Sequence, residues 1–513
     1  MPKTPSNKLY HLIQSLSGPE KRYFKLYART TSGDKSSKYL QLFDAIEAQS
    51  TYDDEALIRT IYADQPIQSR KYSELKAYLY ELILKSLQGF DENSSIDFRL
   101  KRQLQSVRVL YRRAHYDDAL ELLQKVQKVA VQYEAFDYQL EILRWQKQLA
   151  YAKSDIPFLD QELTRIEATE HHCTERLQNI AAYQNLFYRI MISIRKDALL
   201  RSKEKVARLE ELMRHPLLQD PEAALSYKAR ILYQRIHGLY YYSIIDYQSF
   251  YTANKELLAL LESHPKMLRE NVPDHISTLS NLISSCGLLK KYREAQTSLD
   301  KLLKVKPVTL DDEMRIHREY YSKKLSLCIS TGDFEEGIHT MKLEQKAVNK
   351  FQQGSFESSR FYFQYFYLHF GIEDYDTALE YLNKWLNQPR SVEREDLQSL
   401  ARILNLIIHY EMDNNLLLEY LFRSTYRFLK KRDRVFEFEK RVLRFIRDSN
   451  KIDSRKELVA EMKNLRADFV ALSQTPSESV MFQYFDFLAW LESKISGKTF
   501  AEVMAEKYRR EEN

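Results

Sequence analysis

Lys291-Tyr292-Arg293-Glu294-Ala295, Asp333-Phe334-Glu335-Glu336-Gly337 and Asp374-Tyr375-Asp376-Thr377-Ala378 are three copies of one short pattern, an aromatic residue followed three positions later by a small one. The aromatics lie 42 and 41 residues apart. A period of this length marks helical hairpins in series, each burying its apolar face mainly against its neighbours. Tyr116-Asp117-Asp118-Ala119-Leu120 is a fourth copy, with Leu123 and Val126 on the helical face of Ala119, and Asp246-Tyr247-Gln248-Ser249-Phe250 is a weaker one that lacks the small residue. Tyr116 and Tyr247 are 131 residues apart, about three periods, and breaks at Lys153-Ser154-Asp155-Ile156-Pro157 and Arg195-Lys196-Asp197-Ala198 provide the intervening turns. Further breaks at Glu411-Met412-Asp413-Asn414-Asn415, Arg432-Asp433-Arg434 and Asp448-Ser449-Asn450 continue the series to roughly seven to nine helix pairs.

The residues after each turn follow a rule as well. Ala295 is followed by Leu299, Leu302 and Pro307, and Ala378 by Leu382, Trp385 and Pro389. A small residue lets two helices cross closely, the larger ones fill the groove, and proline stops the helix. This pattern resembles the second helix of a tetratricopeptide repeat (TPR). The departures are Ile283 and Phe366 where that family's first helix carries a small residue, and a period above forty where the family's is about thirty-four. The resemblance implies an all-α protein built as an α-α superhelix, a right-handed TPR-like solenoid, over residues 96–513. It also implies an adaptor role without naming a partner.

Residues 1–95 do not carry the repeat and read as a small N-terminal helical domain. Ser17-Gly18-Pro19-Glu20 supplies a capping box, with Ser17 as N-cap and Glu20 at N3, so a helix carrying Tyr23, Phe24, Leu26 and Tyr27 starts there and ends near Thr31-Ser32-Gly33-Asp34. Helical patterns follow at Tyr39 to Ala48, Asp54 to Tyr62 and Ser69 to Leu87, before Gly89-Phe90-Asp91-Glu92-Asn93-Ser94-Ser95 closes the domain. This opening, followed by such repeats, is similar to a group of uncharacterised bacterial TPR-containing proteins.

Composition agrees with helices throughout. Only 10 glycines and 12 prolines interrupt 513 residues, and no strand pattern of alternating β-branched residues occurs. Cys173, Cys286 and Cys328 are widely spaced and form no paired motif, which points to a reducing compartment. The N-terminus leads into an amphipathic helix and no apolar run is long enough to span a bilayer, so the expectation is a cytoplasmic protein with no membrane partner.

Chemical motifs are few. Ser496-Gly497-Lys498-Thr499 resembles the end of a phosphate-binding loop, but the required first glycine is Glu492 and the flanking pattern is helical. His171-His172-Cys173 reads as a surface or loop cluster, because neighbouring residues on a helix diverge by about 100° and cannot easily face one ion. The sequence therefore predicts no catalytic residue, no cofactor and no metal site.

Binding is the better expectation. Residues 421–470 hold fifteen basic and eight acidic residues, and residues 1–30 hold six basic residues against Glu20 alone. Arg423, Arg427, Lys430 and Arg434 recur at helical spacing and form a candidate stripe for an acidic peptide or a phosphate backbone. Phe361-Tyr362-Phe363-Gln364-Tyr365-Phe366-Tyr367 is aromatic on every helical face. It reads as an inner helix covered on both sides, with Tyr362 and Tyr365 as candidate peptide contacts. The function expected is a non-enzymatic scaffold that holds a protein or peptide segment in a concave groove. The alternative is a regulator binding nucleic acid or another anionic partner through its basic terminal helices, with Lys21, Arg22, Lys25 and Arg29 on phosphates.

Overall fold

The computed structural model describes residues 7–32, 38–62, 69–90, 95–196, 203–348, 351, 361–387, 395–431, 436–449, 452 and 454–512. Among these residues every regular element is helical. The turn read at Arg432-Asp433-Arg434, the break at Asp197-Ala198, Asn93-Ser94, Pro389 and Asn450 lie outside them. The chain divides into two units, Met1–Thr174 with Lys350–Phe356, and Glu175–Asn349 with Glu357–Asn513.

Within the first unit, helices Lys8–Ser15, Gly18–Ser32, Lys38–Ala48, Asp54–Tyr62 and Ser69–Phe90 share one apolar core around Ile13, Phe24, Leu42, Phe43, Leu79 and Ile83. The capping box forms as the sequence predicts. Glu20 accepts from the Ser17 N–H at 2.6 Å, and the Glu20 N–H reaches the Ser17 hydroxyl at 3.4 Å. A separate cluster from Leu100 to Leu149 joins Ile96–Arg112, Tyr116–Gln132 and Phe136–Ala152.

Seven hairpins share one construction among the described residues, with their second helices starting at Tyr116, Ile156, Tyr247, Tyr292, Phe334, Tyr375 and Asn415; the link before Phe136 copies it. Two residues before each start the backbone turns left-handed, at Ala114, Glu134, Ser154, Ile245, Lys290, Gly332, Glu373 and Asp413. The next N–H then closes on a carbonyl five residues back, as in His115 to Leu110, Lys291 to Cys286, Asp333 to Cys328 and Asn414 to His409, at 2.8–3.0 Å. This pairing satisfies carbonyls that the helix end would leave open. Glycine suits the left-handed residue best, and only Gly332 is glycine.

The aromatic signature also acquires a cause. Asp246, Asp333 and Asp374 stand at the N-cap and accept the N–H groups of Ser249, Glu336 and Thr377 at 3.0, 3.3 and 3.2 Å. The aromatic opens the helix, and the small residue faces the next hairpin. A Cβ on Gly337 would come 2.3 Å from the Leu368 side chain, and Ala119, Ala295 and Ala378 are almost fully buried. Second helices meet the first helix of the following hairpin, for example Tyr247–Glu262 on Val272–Leu288 and Tyr292–Lys304 on Leu310–Thr331.

In the second unit the segment after Ser473 packs on these turns. Phe485 lies 5.0 Å from the rings of both Tyr367 and Phe370, and Phe500 lies 5.8 Å from Phe334. This contact covers one side of the aromatic helix Tyr362–Gly371, where Tyr365, Phe366, Tyr367, Leu368 and Phe370 are buried.

Candidate functional site

The candidate cations of the sequence lie on helix Asn415–Lys431, where Arg423, Arg427 and Lys430 are all exposed. Arg423 pairs with Glu419 at 2.5 Å, and the Arg427 Nε donates to the Arg423 carbonyl at 3.3 Å. Arg434 lies outside the described residues. Tyr420 and Leu416, the latter 96% exposed, extend the same face one and two turns toward the helix start. The sequence reading missed them because it followed charge alone.

Tyr362 and Tyr365 lie on helix Tyr362–Gly371. Tyr362 is half-buried with its ring 6.1 Å from Tyr381, whereas Tyr365 is buried and donates its hydroxyl to the buried Glu344. No hydrogen bond or ion pair joins these tyrosines to the cations of Asn415–Lys431 among the described residues. In the N-terminal bundle, Lys25 pairs with Asp44 and Glu47 at 2.8 Å and Lys21 with Glu47 at 3.5 Å, while Arg22 and Arg29 are exposed.

The two weak chemical motifs have local explanations. Gly497 takes a φ of 75° to end helix Phe487–Ser496, and Thr499 caps the next helix against Glu502. His171 and His172 are exposed at the surface, as expected, but on helix Ile156–Lys196 and not in a loop, while Cys173 is fully buried with its sulfur 3.6 Å from Gln139 Oε1. No group of three His, Cys, Asp or Glu side chains is placed to hold a metal among the described residues. Burial pushes the Cys286 and Cys328 thiols up to about 12 and about 11, away from thiolate chemistry at neutral pH.

A cavity of about 800 Å³ lies in the second unit. Much of its wall is one face of successive first helices, with Phe250 and Asn254 of Tyr247–Glu262 and Phe187 and Met191 of Ile156–Lys196 beside them. Arg235, Gly238, Leu239 and Tyr242 come from Tyr227–Ser243, Asn281, Ser284 and Leu288 from Val272–Leu288, and Lys323, Ser326, Leu327 and Ser330 from Leu310–Thr331. These sets recur at three, four and seven positions, the spacing of a single helical stripe. Phe363, Gln364 and Tyr367 continue the wall on Tyr362–Gly371, and Phe482 to Asp486 with Met504, Lys507 and Glu511 border it from the C-terminal segment.

The space is open beside Gly287, where an added Cβ would meet no atom within 4 Å. Polar side chains tie the wall together from hairpin to hairpin. Arg235 reaches Ser277 at 2.9 Å and Asp274 at 2.8 Å, Ser280 donates to Glu319 at 2.6 Å, and Gln364 donates to the Ser326 hydroxyl at 2.8 Å. At the rim, Lys290 pairs with Glu511 at 2.5 Å, Lys507 pairs with Asp486, and the Asp486 N–H donates to the Tyr367 hydroxyl at 3.0 Å.

Lys323 differs from the other charged wall residues in having no hydrogen bond or ion pair among the described residues. It is half-buried and keeps some accessible surface where it faces the cavity, with its ammonium partly desolvated by the surrounding protein. That desolvation pulls its pKa below the lysine range, opposed only by the charge of Glu319 one turn away. In sequence it is one of two lysines after Tyr320-Tyr321-Ser322, with no signal to distinguish it.

No protein family, no curated protein and no solved structure matches this chain. No helix among the described residues is long and apolar enough to cross a membrane.

Proposed function

We propose that the protein is a non-enzymatic interaction scaffold, a superhelix of TPR-like hairpins that holds a segment of a partner protein in its groove. The observation that carries this reading is the wall built by successive first helices, whose exposed stripes combine tyrosine, asparagine and serine side chains around one concavity. Aromatic rings supply contact area at low entropic cost, and amides and hydroxyls match the backbone of an extended chain. The absence of a match to any family leaves the TPR likeness resting on the turn signature and on the hairpin packing.

The test is affinity capture from an extract of the source cells. Intact protein is compared with a groove variant, Tyr242→Ala with Asn281→Ala, and a stripe variant, Arg423→Glu with Arg427→Glu. The scaffold reading predicts a protein that the groove variant loses and the stripe variant keeps. Retention of the same proteins by the groove variant overturns it.

A second reading has its own observation: the exposed Arg423, Arg427 and Lys430 beside Tyr420 suit an anionic partner, nucleic acid included. Titration of labelled duplex DNA at low and high salt separates the two. Binding that falls steeply with salt and is lost in the stripe variant supports an anionic partner; no binding at low salt removes it.

A further inference from the structure

The charged side chains that border the cavity are matched with one exception. Arg235 is paired with Asp274, Lys290 with Glu511, and Lys507 with Asp486. Lys323 has no such partner among the described residues, and its closest acidic neighbour along the helix, Glu319, is already engaged by Ser280 and by Arg318 at 3.4 Å. An ammonium that lines a cavity without a counter-ion offers an unmatched positive charge to an incoming anion.

Three features define that anion. The volume of about 800 Å³ lies in the range of small-molecule sites, commonly about 300–1,000 Å³. A single unmatched cation suits a single negative charge, whereas a phosphomonoester dianion needs a second donor of positive charge. Phe250, Phe363, Phe482 and Phe485 offer an apolar bed on the same cavity.

We propose that the cavity binds a small amphipathic carboxylic acid, its carboxylate on Lys323 and its apolar body among these phenylalanines. This goes beyond the scaffold reading, since it requires no partner protein; a partner segment would compete for the same cavity, and the titration below is read without one.

The experiment titrates the full-length protein with decanoate by calorimetry, with decan-1-ol and inorganic phosphate as comparison probes. Decanoate binds saturably with one molecule per chain. Lys323→Met weakens decanoate at least tenfold and leaves decan-1-ol nearly unchanged, and Gly287→Leu, which fills the space beside the wall, weakens both. Circular dichroism confirms that each variant is folded. Should Lys323→Met not fold, acylation of the wild-type protein by acetic anhydride, read by mass spectrometry, gives the same answer: decanoate protects Lys323 and leaves Lys290 and Lys507 unchanged. The proposal is overturned by absence of saturable binding, by equal loss of decanoate and decan-1-ol in Lys323→Met, by phosphate binding as tightly as decanoate, or by acylation of Lys323 unaffected by decanoate.

Discussion

Tyr116 in the first unit and Phe334 in the second occupy the same place in the same kind of turn, yet they do different work. Tyr116 is half-buried and packs on Tyr111 of its own hairpin at 5.5 Å. Phe334 is 2% exposed, lies against Gly371 so closely that a Cβ there would come 2.2 Å from its ring, and faces Phe500 from the C-terminal segment. Tyr292 follows Phe334: it meets Tyr508 at 5.0 Å and donates to Glu511, 219 residues later in the chain. The turn signature is thus a local device for making a hairpin, and in the second unit it doubles as an anchor for distant chain.

The largest test of this difference is truncation of the aromatic. Phe334→Ala is expected to cost about 3–5 kcal/mol, the usual range for a buried phenylalanine, and Tyr116→Ala about 1 kcal/mol, both read from urea unfolding. Equal losses would erase the distinction between the two turns.

Next in size is Gly332→Ala. Its φ of 76° is costly for alanine, and the new Cβ would stand 2.6 Å from the Ala505 backbone nitrogen. A loss of at least about 1–2 kcal/mol is expected, with faster hydrogen exchange throughout helix Phe500–Glu512. In the first unit the same position is Ala114 at φ 59°, where Ala114→Gly should instead stabilise by up to about 1 kcal/mol. Thermal melts of the two variants moving in the same direction would contradict the shared geometry.

The capping residue gives a smaller effect. Asp374→Ala removes the acceptor of the Thr377 N–H and should cost about 1 kcal/mol.

The smallest effect is on acid stability, and it belongs to the second unit. Burial lowers the pKa of His237, His275 and His409, so below the ordinary histidine pKa the unfolded chain binds more protons than the folded one. Stability is then fully present above about pH 6.5 and declines as pH falls from there toward the lowered folded-state values. Urea midpoints at pH 7 and pH 5 should fall more for wild type than for His237→Gln, whose neutral amide does not titrate.

Much of the hairpin architecture was legible because its causes are local. The aromatic and the residues beside it lie within five positions, with an Asp N-cap before Tyr247, Phe334 and Tyr375 and a small residue after Tyr292, Phe334 and Tyr375, so these four aromatics mark real helix starts. The link before Phe136 escaped because Gln139 stands where a small residue would; there its amide donates to the Ala130 carbonyl at 3.1 Å. The left-handed residues were invisible because Ala, Glu, Ser, Ile, Lys and Asp carry no turn signal that glycine would give. The cavity was not legible at all. Its wall joins helices from five hairpins to the C-terminal segment, and the isolation of Lys323 is a property of tertiary packing, not of its neighbours in sequence.

Residue-resolved hydrogen exchange tests whether the left-handed turn recurs in every hairpin. The amides of His115, Ala135, Asp155, Asp246, Lys291, Asp333, Asp374 and Asn414 each close on a carbonyl five residues back. The account predicts that all eight exchange far more slowly than unstructured chain, with Lys291 and Asp333, beside the docked C-terminal segment, among the slowest. Exchange of these amides at the rate of open loops, while the flanking helices remain protected, would contradict it.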